Sequence, residues 1–348
     1  MALTYDSNIP VSLIAYQIES VYPRLDINQW TLLSLLRKES TAQRRIEVPL
    51  QIGGAASNIR AYGTEVSAQD SSSTTVGTLN LGEFLIDHTM TIRVDQFTEA
   101  VNHGKLAVND LFQIKTEEAI LSIFRRLGGL VYTGDGTSGS AGIFGLNNII
   151  DSAIYAGINS ATHTKWLGST FANGNTPRKL NRAILQNAEV AVANKEGSTT
   201  AIITTKAVEE TLKSIYQNLG IYQLGEGNAG NLGLKRITYQ GLDVYTDINC
   251  PAGSMYLVNL PTLGMKFYDV RIGANSYVRE RYQSVVVGGV PFVISDVSNP
   301  AFPEVFRYNI STSPQMWTAY RNSQAVIRDL STDLSTYNVE PAPPEPPE

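Results

Sequence analysis

Cysteine is almost missing: Cys250 is the single one in 348 residues. That excludes an internal disulfide framework and any zinc site built on several thiolates. Histidine is scarce as well. His88, His103 and His163 are the only three, and none forms an i,i+4 pair or an H-E-x-x-H. There is no basic excess, since 27 Lys and Arg face 32 Asp and Glu for a net charge of −5. A chain of that balance is poorly suited to wrapping nucleic acid on a positive surface. No apolar run approaches the roughly 18 residues of a membrane-spanning helix. Long candidates such as Ser284 to Ser295 are short and strand-like. The first residues, Met1 to Asp6, show neither the basic nor the apolar region of a secretory signal. A soluble protein of a reducing compartment is the expectation. What is present is apolar material, 43% of the residues, enough for a substantial core over two domains or one elaborated one.

The patterning is informative from about residue 46 onward. Residues 1–30 are polar and irregular, with Pro10 and Pro23 as breakers, and suit an extended arm; Gln29 to Arg37 reads as a short amphipathic helix. Ile46, Val48, Leu50 and Ile52 then alternate with polar or small residues, as do Phe84, Ile86, Met90, Ile92 and Val94. Period-two alternation predicts strands with one buried and one wet face. Between them lie small and polar stretches, 53–57 and 68–75, so the two strands read as a long hairpin with almost nothing apolar to bury at its tip. Such a tip projects, and is either disordered or shaped by a partner. A long helix is expected over 107–127, with Val108, Leu111, Phe112, Ala119, Ile120, Ile123, Phe124 and Leu127 on one stripe. Asp110 in the first turn and Arg125 with Arg126 in the last complement its dipole, and Gly128 with Gly129 supplies a stop.

Beyond it, glycine-rich links (133–142, 173–176) lead to a helix opening at Thr176-Pro177 and ending near Gly197. A buried strand over 199–204 follows, then a helix over 206–217 with Glu209 and Lys213 paired at i,i+4. Residues 220–233 form a loop carrying Gly225, Gly227, Gly230 and Gly233. Strands are expected at 242–246, 255–260, 265–268, 277–287, 290–294 and 306–310, and the tail from Pro341 is mostly proline and glutamate.

No pattern carries catalysis. Gly134, Gly136 and Gly139 fit the spacing of a dinucleotide fingerprint, which requires a strand before it and a helix opening at its last glycine. Here a helix precedes and none opens, so a glycine-rich connection is the better reading and a nucleotide-binding α/β enzyme the remote one. There is neither a P-loop nor a G-x-S-x-G elbow. His88 stands at an apolar-parity strand position, as a structural histidine does. Cys250 lies before the turn Pro251, Ala252, Gly253, with no neighbouring cation to activate it. Asn309-Ile310-Ser311 fits a glycosylation sequon that means nothing without a secretory signal. A chain with an arm, a projecting hairpin and no active site looks like an assembly subunit. No cofactor and no enzyme activity are expected.

Two segments carry a family resemblance. Tyr155, Ala156, Gly157, Ile158, Thr162 and Trp166 follow one pattern; Tyr239, Gly241, Val244, Asp247, Pro251 and Gly253 follow another. With the order of parts, these resemble the major capsid protein of tailed bacteriophages, a shell fold shared with encapsulins and the herpesvirus capsid floor. In many relatives an arginine follows the Asn or Asp of the first segment; Ser160 stands there in this chain. The resemblance implies an α+β tailed-phage capsid fold with N-terminal arm (1–45), extended β-hairpin loop (46–98) and a peripheral domain with spine helix and link (99–164). It further implies an axial domain (165–260), peripheral returning strands (261–330) and a Pro/Glu-rich tail (331–348).

On that resemblance, the chain forms hexamers and pentamers of an icosahedral head around double-stranded DNA, bound without sequence specificity. Its expected place is the virion, after assembly in the host cytoplasm. Further partners would be a portal protein, a scaffold that is separately encoded or absent, and a cement or decoration protein; no membrane is involved. An encapsulin shell around a protein cargo is the nearest rival. Inter-subunit contacts are expected from Ile46, Val48, Leu50, Arg60, Glu65, Asp70, Glu83, Phe84, Ile86 and Ile92, and the loop with Gly225, Gly227 and Gly230 near a symmetry axis. Some relatives cross-link through a loop lysine, but here Lys38 is followed by Lys105 with none between, so a non-covalent shell is expected.

Overall fold

The computed structural model describes residues 30–51, 74–81, 83–103, 105–140, 142–161, 166–218, 237–272, 283–296 and 305–333. A helix of 29 residues, Lys105–Thr133, runs through the larger of two apolar cores and is preceded by the helix Val94–His103. Its buried face holds Phe112, Ala119, Ile120, Ile123, Phe124 and Leu127 of the stripe legible in the sequence and runs on to Val131. The expected stop at Gly128 and Gly129 does not occur. A Cβ on Gly128 would stand 2.5 Å from Trp30 Cδ1 and 2.8 Å from Asn249 Nδ2. This glycine lets a tryptophan lie on the helix backbone, and burial there outweighs the roughly 1 kcal/mol that glycine costs a helix interior. Arg125 and Arg126 therefore sit inside the helix rather than at its end, and Arg126 donates from Nη2 to the Gly139 carbonyl at 2.8 Å.

Beside this helix lies a four-stranded antiparallel sheet in the order Gln283–Val287, Val290–Asp296, Val305–Thr312, Ile86–Arg93. Ile86, Met90 and Ile92 point inward and Asp87, Thr89, Thr91 and Arg93 outward, as the alternation requires. The expected hairpin partner is wrong. Arg45–Gln51 pairs with Thr74–Asn80, Ile46 opposite Leu79 and Val48 opposite Gly77, while Ile86–Arg93 pairs with Val305–Thr312. Alternation specifies which face is buried but not which strand lies alongside. Val94, expected to extend the strand, instead begins a helix.

The arm boundary also moves. Trp30, Leu32, Leu33 and Leu36 are buried, and Arg37–Thr41 runs parallel to Leu263–Tyr268 in a three-stranded sheet with Pro314–Thr318. Residues from 30 onward therefore belong to the body. The short helix Thr31–Leu35 has no cap of its own. Its Leu32 N–H donates at 2.8 Å to Asp247, a buried carboxylate that also accepts from Tyr132 Oη at 2.9 Å. The Trp30 and Phe124 rings meet at 5.5 Å.

The second core belongs to a six-stranded sheet. Its order is Ser169–Phe171, Ala325–Ile327, Met255–Val258, Ala201–Thr204, Leu242–Thr246, Ile237–Tyr239. Helices Arg182–Asn194 and Lys206–Asn218 supply Leu185, Ala188, Val192, Val208 and Leu212 to this core. Ala325–Ile327, expected among the returning strands of the other domain, lies second in this sheet. The helix expected at Thr176-Pro177 starts five residues later, at Arg182. Arg178 is bridged to Leu330 in extended backbone, and Asn181 caps the helix by accepting from the Ile184 N–H at 2.9 Å. The Glu209–Lys213 pair forms at 3.1 Å, with Lys206 joining it from the preceding turn.

Candidate functional site

The candidate region is the foot of the hairpin, formed by strands 45–51 and 74–80. Those strands pair with each other and with no third strand among the described residues. Apolar side chains root them: Ile46, Val48, Leu79 and Leu81 are 1–3% exposed. Directional bonds add to this. The Thr78 N–H donates to Ala156 O at 3.0 Å, Leu81 N–H to Arg44 O at 2.8 Å, and Ser313 Oγ to Phe84 O at 2.9 Å. Gln315, 1% exposed, donates from Nε2 to Asn80 O at 3.0 Å and Gly142 O at 2.9 Å. Its Oε1 accepts from the Phe144 N–H at 3.0 Å.

The Tyr155 segment explains itself here. Ala156 and Gly157 both have positive φ, 53° and 78°, between paired Tyr155 and Ile158. That is the geometry of a tight two-residue hairpin turn, and the Ala156 carbonyl at its tip is the one that Thr78 reaches. Gln240 and Gly241 (φ 49° and 85°) repeat it in the second segment. Tyr155 and Trp166 enclose Arg321, whose guanidinium carbon lies 5.2 Å and 4.6 Å from their ring centroids. Arg321 is fully buried, and its Nε and Nη2 donate to Ile149 O and Ser152 O at the end of the helix Leu146–Asp151. Burial pulls its pKa down to about 10, against the opposing influence of Tyr155 and Asp151, and it stays charged at neutral pH.

The glycine-rich loop after the long helix is closed on itself. Asp135 accepts from Ser140 Oγ at 2.6 Å, Thr137 Oγ1 at 2.7 Å and the Thr137 N–H at 3.0 Å. Those bonds hold its carboxyl down at about 2. Gly134, Gly136 and Gly142 N–H groups donate to Leu130, Ile143 and Thr137 carbonyls. Those three N–H groups are committed to the chain's own carbonyls. Cys250 is buried, and burial followed by Asp247 pushes its thiol pKa up, away from reactivity.

No protein-family model matches the sequence, and no curated protein matches it. Solved structures do. A chain of the cyanophage A-1(L) capsid asymmetric unit superposes at a TM-score of 0.74, with 21% identity over 87% of this chain and 93% of that one. The SrpI encapsulin of Synechococcus elongatus gives 0.54 with 10% identity over 87% and 88%. The capsid of a native GTA particle gives 0.51 with 9% identity over 87% and 91%. The chain has the phage-capsid fold.

Within the capsid fold, the expected contact residues divide. Ile46, Val48, Ile86 and Ile92 are 1–6% exposed in the isolated chain, so they are core and have no apolar surface left for a neighbour. Glu83 is exposed and accepts from Asn80 Nδ2 at 3.1 Å; Phe84 is half-buried, its ring laid over Gly142. Arg60, Glu65, Asp70, Gly225, Gly227, Gly230, most of the arm and the side chain of Leu50 lie outside the described residues. So does residue 163, while His88 is half-buried in its strand as expected. Gln315 and Arg321 stand in stretches without a sequence pattern, and Asp247 lies in a matched segment whose geometry only the fold supplies. Among the described residues no helix is long and apolar enough to cross a membrane.

Proposed function

We propose that this chain is a major capsid protein, assembling with copies of itself into the hexamers and pentamers of an icosahedral head that encloses double-stranded DNA. The observation that carries the reading is the likeness to the cyanophage capsid chain over nearly the full length of both. It exceeds the likeness to the encapsulin in both TM-score and identity. The mechanism is assembly rather than catalysis. A rigid two-core body presents a hairpin that is rooted through buried side chains and three directional ties. Hairpin and arm then bury surface against neighbours, and obligate interfaces of this kind exceed about 2,000 Å².

The net charge of −5 suits a wall that must hold DNA without adhering to it. A portal, a scaffold and a cement protein are the partners that such a shell requires or tolerates, and the virion is its place. Particles purified from producing cells and treated with nuclease should yield protected double-stranded DNA. Particles that instead hold a specific protein cargo and no DNA would contradict the phage reading and favour an encapsulin.

A further inference from the structure

We infer that Gln315 is the positioning residue that sets the inclination of the hairpin on the body, and so the curvature of the shell; the second half of that statement rests on the capsid reading above. A two-stranded hairpin paired to no third strand among the described residues has no ladder to fix its angle. Apolar burial at Ile46, Val48, Leu79 and Leu81 roots it but is non-directional. Orientation must come from hydrogen bonds. Gln315 contributes three of these and joins two separate segments: Asn80 O in the hairpin, and Gly142 O and Phe144 N in the loop behind the long helix. Its amide can face only one way, because two carbonyls need the NH2 and one N–H needs the oxygen.

A cavity of about 230 Å³ opens beside it, lined in part by Asn80, Phe84, Gly142, Phe144 and Gly157. On that side little steric bulk opposes a tilt of the hairpin. With Gln315 removed, two carbonyls and one N–H lose their partner, and the foot relaxes into the open space.

Gln324 supplies a matched control. It is equally buried and also serves three groups, Asn259 N, Thr262 Oγ1 and Tyr320 O, none of them in the hairpin or the loop that Gln315 bonds. The experiment places spin labels at Val76→Cys on the hairpin and Val190→Cys on the body, both more than half exposed, while buried Cys250 stays unlabelled. Pulsed dipolar spectroscopy on unassembled subunits should give one narrow distance distribution for the labelled parent and for Gln324→Leu. Gln315→Leu should shift it or about double its width, because the tie from Asn80 to the loop is gone and, among the described residues, only the Thr78–Ala156 and Ser313–Phe84 bonds remain.

Gln315→Glu keeps the acceptor for Phe144 and loses both donors, so it should show the same loosening if Gln315→Leu fails to fold. Unchanged distributions in the Gln315 variants overturn the positioning role whatever happens in assembly. In micrographs, folded Gln315 variants should build tubes or irregular shells where Gln324→Leu builds regular ones. Regular shells from both overturn the link to curvature. A parent chain that builds no shell at all overturns the capsid reading and leaves the spin-label result standing.

Discussion

Gly128 and Gly129 are adjacent in one helix, yet the same substitution should move stability in opposite directions. At Gly128 an added Cβ meets Trp30 and the Asn249 side chain, whereas at Gly129 nothing lies within 4 Å. Gly128→Ala should therefore destabilise the subunit by about 1–3 kcal/mol through overpacking. Gly129→Ala should stabilise it by roughly 0.5–1 kcal/mol through helix propensity. Urea melts of the two variants check this, and equal shifts would refute the packing account. Asp135 tests the closed glycine loop. Its folded-state pKa of about 2 lies below the ordinary value near 3.9, so its stabilising effect is complete above about pH 4 and disappears as pH falls towards 2. The gap in urea midpoint between the parent and Asp135→Asn should narrow over that window; a gap independent of pH would mean the carboxylate charge is irrelevant. In the sequence the glycines were visible as breakers. What decides their role is a tryptophan about a hundred residues away, which no local pattern contains.

At the scale of elements, periodicity was a good guide to faces and a poor guide to partners. The stripe on the long helix and the alternation of Ile86, Met90 and Ile92 were both legible. That Ile86–Arg93 pairs with Val305–Thr312 was not, because a strand more than two hundred residues away leaves no trace in local alternation. Pro314–Thr318 and Ala325–Ile327 escaped notice for a related reason: they are short, and the first begins with a proline, tolerated there because it is an edge strand. The body begins at Trp30, and truncation should expose that boundary. Deleting residues 1–28 should leave a folded subunit that no longer assembles. Deleting through Leu36 also removes four buried apolar side chains, Trp30, Leu32, Leu33 and Leu36, at about 1.5–3 kcal/mol each. That sum rivals the whole 5–15 kcal/mol stability of a typical domain. The shorter deletion should keep a cooperative melt and the longer one should lose it; matching melts would show that Trp30 and its neighbours are not core. A charge at Ile86 or Ile92 should likewise unfold the subunit rather than merely block its assembly.

For the whole molecule, the order of parts was more telling than any motif. Arm, hairpin, long helix and strand block together point to a shell subunit. The division into two cores emerged only with the strand that returns at 325–327. Holding such a shell together falls to non-covalent contacts, since Lys38 is followed in sequence by Lys105 and the hairpin loop has no amine to attack a neighbour. Boiled, reduced particles should run as one monomer band on denaturing electrophoresis; a ladder of multimers would show a cross-link of some other origin. The central claim is tested most directly by cryo-electron microscopy of particles formed by the full chain. The account predicts closed shells in which this one fold occupies both five-fold and six-fold positions, with the 45–51 and 74–80 hairpin lying across a neighbouring subunit. A chain that stays monomeric or forms only a small closed oligomer under all assembly conditions would contradict it.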